Sequence, residues 1–130
     1  MRRQARETVF KYIYSRLFNV DEGLFDVLAS ELNQDDKKFA TDLLMAVDKD
    51  FDKNLQVIQD YSIGFKLERV INVDKCALLI GLAELDNFID TPTPVVIDEA
   101  VSICAKYSTE KSTDYVNGIL SKYAMEKRND

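Results

Sequence analysis

The chain has 130 residues, 46% hydrophobic and 31% charged, with four Gly, two Pro and a net charge of −6, a composition that fits one helix-rich globular core rather than a disordered or fibrous chain. It contains no His, which excludes Ser-His-Asp and Cys-His nucleophilic chemistry, histidine metal sites and a histidine general base. Cys76 and Cys104 stand in apolar runs without metal-ligand spacing, so the expectation is two buried thiols in a reducing cytoplasm, no disulfide, no metal and no other cofactor.

Charge is unevenly placed along the chain. Residues 1–16 carry five bases and one acid, residues 21–60 eleven acids and four lysines, and residues 101–130 five bases and four acids. A basic leading segment on an acidic protein gives a local phosphate site while the molecule as a whole repels polyanions. No run reaches the ~18 apolar residues of a membrane span.

Taken in chain order, residues 4–18 place Ala5, Val9, Tyr12, Ile13 and Leu17 at helical spacing without Gly or Pro, which predicts a first helix. Arg2, Arg3 and Arg6 fall at or before its first turn, where positive charge opposes the macrodipole by about a few tenths of a kcal/mol and an external anion would compensate. Residues 19–23 read as a turn, with Asp21 as the cap of a short helix carrying Leu24, Phe25, Leu28 and Leu32. After a polar break at 33–36, Phe39, Leu43, Val47, Phe51, Leu55 and Ile58 predict one long third helix. Residues 61–65 read as a loop and 66–71 as a short turn.

Residues 73–89, with CALLIGLAEL at their centre, have too few polar positions for a surface helix and predict the central buried one. Gly81 there is expected to let a neighbouring helix approach. Pro92 and Pro94 end it, and Pro94 fits the first turn of the next helix, where a missing N–H costs nothing. Val96, Ile97, Ala100, Val101, Ile103, Cys104 and Tyr107 form its stripe. A last helix, capped by Ser112 or Thr113, carries Tyr115, Val116, Ile119, Leu120 and Tyr123. Asn117-Gly118 inside it is a hairpin dipeptide by composition, yet no strand flanks it. Glycine within a helix costs about 1 kcal/mol relative to Ala, so Gly118 is expected to admit a close contact and Asn117 to bond nearby polar groups.

Carboxylates offer no catalytic constellation. Glu99 and the acids of residues 35–52 read as solvated faces or caps, and the alternating Asp48, Asp50 and Asp52 lack the Gly and Glu of a calcium loop. Neither GxGxxG nor a P-loop occurs.

Four blocks in order carry a resemblance: RRQARE (2–7), VDKCALLIGLAEL (73–85), PTPVVIDEAVSICAKY (92–107) and STDYVNGIL (112–120). Together they resemble the NusB transcription antitermination factors, which pair with ribosomal protein S10 and bind the boxA RNA element. The resemblance implies an all-α fold of about seven helices in two lobes, a single RNA-binding domain over residues 1–130, no enzymatic activity, and an indirect association with the RNA polymerase elongation complex in the cytoplasm. It maps RNA-binding positions onto Arg2, Arg3, Arg6, Tyr14 and Tyr115, and acidic positions facing S10 onto Glu68 and Asp74; Asn117, two residues from Tyr115, is expected in the same RNA-binding set. Lys111 stands where the family usually has an acid and adds positive charge to the RNA face. Other departures are Asp98 for the usual Asn, Leu79 for an Arg and Ala83 for a Tyr.

Chemically the assignment is coherent, because guanidinium forks grip phosphates and exposed rings stack on unpaired bases. The departures at Leu79, Ala83 and Lys111 support a second reading, a helical protein-interaction or homodimerisation module with reduced RNA binding. Related domains also precede RNA cytosine methyltransferases, but 130 residues leave no room for that enzyme.

Overall fold

The computed structural model describes residues 2–18, 23–62, 64 and 69–128. Among them are seven helices and no strand: α1 Arg2–Arg16, α2 Leu24–Ala29, α3 Gln34–Lys49, α4 Phe51–Tyr61, α5 Asn72–Asn87, α6 Thr93–Tyr107 and α7 Glu110–Lys127. Every residue of α5 from Cys76 to Leu85 is buried. A helix that is apolar all round needs neighbours on all sides, and α1, α3, α4, α6 and α7 supply them. On one side α1, α2 and α3 pack together, on the other α6 packs on α7, and α5 belongs to both groups. This is the expected pair of lobes.

Close approach within the core rests on Gly81. A Cβ there would lie 2.7 Å from Leu120 Cδ1, and Leu120 is itself fully buried. The missing side chain lets α7 seat Leu120 against the α5 backbone, as the sequence predicts.

Gly118 is different. It is exposed, and a Cβ added to it meets nothing within 4 Å. The expected close contact does not exist within this chain, because Val116, Ile119 and Leu120 form the buried face of α7 and Gly118 lies on the opposite one. Asn117 does bond a polar neighbour, accepting from Ser121 Oγ at 3.0 Å.

The predicted long third helix is two helices. Asp50, with φ −108° and ψ 22°, ends α3 and begins α4. The break makes Asp52 a favourable first-turn acid of α4 and leaves Asp48 and Asp50 at the end of α3, where an acid is unfavourable and Asp48 is offset by its ion pair with Arg16 at 2.7 Å. The apolar stripe survives the break, since Phe39, Leu43 and Val47 in α3 and Ile58 in α4 are all buried.

Side-chain caps hold the starts of α3 and α7. Asn33 caps α3, its side chain accepting from Asp36 N–H at 2.8 Å. Thr109 rather than Ser112 or Thr113 caps α7, accepting from the Ser112 N–H at 3.3 Å. Pro94 sits in the first turn of α6 as expected. The predicted Asp21 cap, the Glu68 position and residues 66–68 of the predicted 66–71 turn lie outside the described residues.

Candidate nucleic-acid interface

Helix α1 buries Ala5, Val9 and Ile13 and presents its predicted site residues on flanking faces. The three arginines are not equivalent. Arg2 is exposed, with its guanidinium 4.5 Å from the centre of the Phe39 ring. Arg3 is exposed and donates to Glu99 at 2.9 Å. Arg6 is 4% exposed; its Nε and Nη2 donate to the two Glu84 carboxylate oxygens at 2.8 and 2.5 Å, and Nη1 lies 3.7 Å from Glu99. A buried guanidinium so occupied ties α1 to α5 and offers no free fork to a phosphate. Glu99, within ion-pair reach of Arg6, is the same acid that accepts from Arg3.

Farther along α1 the surface becomes aromatic. Tyr107, at the end of α6, stacks on Phe10 at 5.2 Å between centroids; Phe10 lies 5.8 Å from Tyr14, and Tyr14 lies 5.5 Å from Phe18. Phe10 is buried and serves as the row's anchor, whereas Tyr14 is half-buried and Tyr107 and Phe18 are exposed. Four-residue spacing of Phe10, Tyr14 and Phe18 builds this row, since i and i+4 share a helix face. Lys11 and Lys106 are exposed. Glu7 holds the end of the row, its Oε1 accepting from Lys106 Nζ at 2.7 Å and from the Tyr107 hydroxyl at 2.6 Å. Burial pushes the Glu7 carboxyl up, but these two bonds and the charges of Lys106 and Lys11 outweigh it and hold the pKa below its ordinary value. The same bond raises the Tyr107 phenol.

Just beyond Tyr107 the chain enters α7, whose first turn carries exposed Lys111. Tyr115 is half-buried, its hydroxyl 2.5 Å from Ser62 Oγ at the end of α4; burial raises its pKa. Asn117 is exposed.

Asp74 is not on an open acidic face. It is 4% exposed, and its carboxylate accepts from Ser112 Oγ at 2.9 Å and from the Cys104 thiol at 3.8 Å. Placed in the first turn of α5 and bonded into the first turn of α7, it stabilises two positive helix ends at once. Burial raises its pKa despite these bonds. The resemblance maps Asp74 onto the S10-facing positions; within this chain Ser112 and Cys104 cover its carboxylate.

The predicted residues therefore do not form one cluster: Arg2 and Arg3 stand at the start of α1, Tyr14 about 16 Å farther along that helix at 1.5 Å per residue, and Lys111 and Asn117 belong to α7.

A model of the NusB family matches residues 3–125. This chain belongs to the NusB family. It is 35% identical to the transcription antitermination protein NusB of Natranaerobius thermophilus, over 95% of this chain and 94% of that one. Identity to the NusB of Methylacidiphilum infernorum is 36%, over 92% and 87%. NusB of T. maritima superposes with a TM-score of 0.86 at 32% identity, covering 97% of this chain and 92% of that one. A NusB solved with NusE in complex with double-stranded RNA gives 0.82 at 28% identity, over 96% of each chain.

Within this NusB-family fold, sequence reasoning missed Glu7, Phe10, Phe18, Lys106 and Tyr107. The signal was present in the four-residue spacing of Phe10, Tyr14 and Phe18, one position off the Val9, Ile13 stripe. Leu17, assigned to that stripe, is 44% exposed.

Proposed function

We propose that this chain is a non-enzymatic, cytoplasmic RNA-binding transcription antitermination factor that binds a boxA-like single strand together with ribosomal protein S10. Membership of the NusB family supports the role, and the similar NusB solved with NusE and RNA supports both partners. The observation that carries it is the ring row from Tyr107 to Phe18 with exposed Lys11 beside it, because unpaired bases stack on exposed rings while an unpaired cation takes a phosphate. In this reading Arg2, Arg3, Tyr14, Lys111, Tyr115 and Asn117 add further RNA contacts, and Arg6 holds α1 on α5.

A net charge of −6 opposes RNA, so a basic S10 partner offsets the repulsion and tightens binding. Titrating a boxA-like single strand and a duplex of the same sequence, each with and without S10, tests this. The expected result is weak binding alone and at least roughly tenfold tighter single-strand binding with S10, the size of a 1.4 kcal/mol coupling. Equal affinities with and without S10 would sink the cooperative model. Exposed Phe18 and Leu17, at 61% and 44%, favour the homodimer as a second reading. Light scattering of wild type and Phe18→Ala distinguishes it, since a dimer built on this row dissociates in the variant.

A further inference from the structure

Two of the cations along the α1–α6 face already hold acids of this chain. Arg3 is paired with Glu99 at 2.9 Å and Lys106 with Glu7 at 2.7 Å. Lys11 and Lys111, by contrast, form no ion pair among the described residues. Lys106 is 59% exposed and reachable by a phosphate, whereas Glu7 is only 18% exposed and fixed in place by a second donor, the Tyr107 hydroxyl. A paired lysine has little excess charge to offer, so a polyanion reaching it must first displace a carboxylate that does not leave.

We propose that Glu7 is a selectivity residue of this face: by neutralising Lys106 and pinning Tyr107 it denies a bare polyanion an electrostatic foothold while keeping the terminal ring of the row set for a base. The inference deepens the RNA reading above and rests on it for its base-stacking half. Discrimination of this kind works by penalising the wrong ligand, not by improving the right one. A generic sugar-phosphate chain loses the contribution of Lys106, whereas a strand with unpaired bases recovers affinity on Tyr107, Tyr14 and Phe18. The position of Glu7 fits this role better than an ordinary surface ion pair. One oxygen serves both the cation and the ring, so charge and stacking surface are coupled through a single carboxylate.

Glu7→Gln keeps an oxygen acceptor for both donors and removes the charge. Binding of an abasic sugar-phosphate oligomer and of a single-stranded RNA of matched length is measured over a series of salt concentrations. The variant is expected to bind the abasic oligomer roughly three- to tenfold tighter, the range of a released partly exposed ion pair. Its log K against log salt slope steepens by about 0.7, one additional phosphate contact on a single strand. The base-bearing RNA gains less, so the preference for bases falls. Lys106→Ala has little effect in wild type and cancels the gain in the Glu7→Gln background. Unchanged abasic binding and slope in Glu7→Gln would overturn the proposal. So would a loss of RNA affinity without an abasic gain, which marks Glu7 as a direct acceptor for a base. Wild type that fails to bind RNA even with S10 retires the RNA reading and the base-stacking half, while the abasic arm still decides whether Glu7 masks Lys106.

Discussion

Arg6 and Glu7 are neighbours in the chain, lie on different sides of α1, and each makes an ion pair. Arg6 and Glu84 are buried, at 5% and 1% side-chain exposure, and share two hydrogen bonds. The Glu7 pair opens to water through Lys106. Burial decides what each is for. Two charges withdrawn from water cost several kcal/mol of desolvation, about repaid only by good geometry, so the Arg6 pair cannot be released to a ligand without leaving an uncompensated charge inside. The Glu7 pair is screened by water on its lysine side and held by the Tyr107 hydroxyl on the other, so its charge can be removed without stranding an ion in the core. The same contrast separates the two helical glycines, Gly81 pressed against Leu120 and Gly118 facing open space.

The largest expected effect tests the interior side of this comparison. Arg6→Ala strands Glu84 between α1 and α5 and should lower stability by about 3–5 kcal/mol, measured by denaturant unfolding. A loss below about 1 kcal/mol, with RNA binding abolished, would return Arg6 to the ligand surface.

Next in size is Gly81→Ala. Its methyl group would start 2.7 Å from a Leu120 carbon with nowhere to retreat, and overpacking of this kind costs about 1–3 kcal/mol. Gly118→Ala is its counterpart and should raise stability by about 0.5–1 kcal/mol, since the helix gains propensity and nothing is displaced. Measuring both unfolding midpoints settles the contrast. If Gly118→Ala stabilises the fold and weakens RNA binding, the glycine serves an approach from outside; destabilisation would show that its exposed setting is wrong.

These cases also show what the sequence made readable. CALLIGLAEL announces the central helix because no surface helix tolerates so little polarity, and Gly81 within it reads correctly as a close approach. Gly118 misleads because a local rule names the cost of a glycine without saying which side of the helix bears it. The Arg2, Arg3, Arg6 group shows the same limit from the charge side. Composition identifies a basic helix start, but only the packing of α5 and α6 reveals that Glu84 and Glu99 claim part of it. Likewise the long stripe from Phe39 to Ile58 is real as a buried face, and because the face continues across the break at Asp50, the periodicity carries no sign of it. Pairings such as Glu7 with Tyr107 join residues a hundred positions apart, and no local period encodes them.

The smallest expected effect separates two acids by the sign of their pH dependence. Glu7 has a folded pKa below its ordinary 4.5, because the Lys106 and Tyr107 bonds and two lysine charges outweigh burial. Its contribution to stability is therefore present above about pH 4.5 and lost as pH falls through the folded value. Asp74 is opposite: burial outweighs the Ser112, Cys104 and Ser108 bonds and raises its pKa above 3.8. Its contribution is present below that value and lost as pH rises through the folded one. Unfolding measured from pH 3 to 7 should thus give Glu7→Gln a shallower acid-side loss than wild type, by less than about 1 kcal/mol. Asp74→Asn, which keeps an oxygen for Ser112, should gain stability relative to wild type as pH rises over the same interval. Parallel pH profiles for the two variants would mean that exposure to water, rather than burial, governs both carboxylates, and the contrast between inside and outside would fail at the groups that define it.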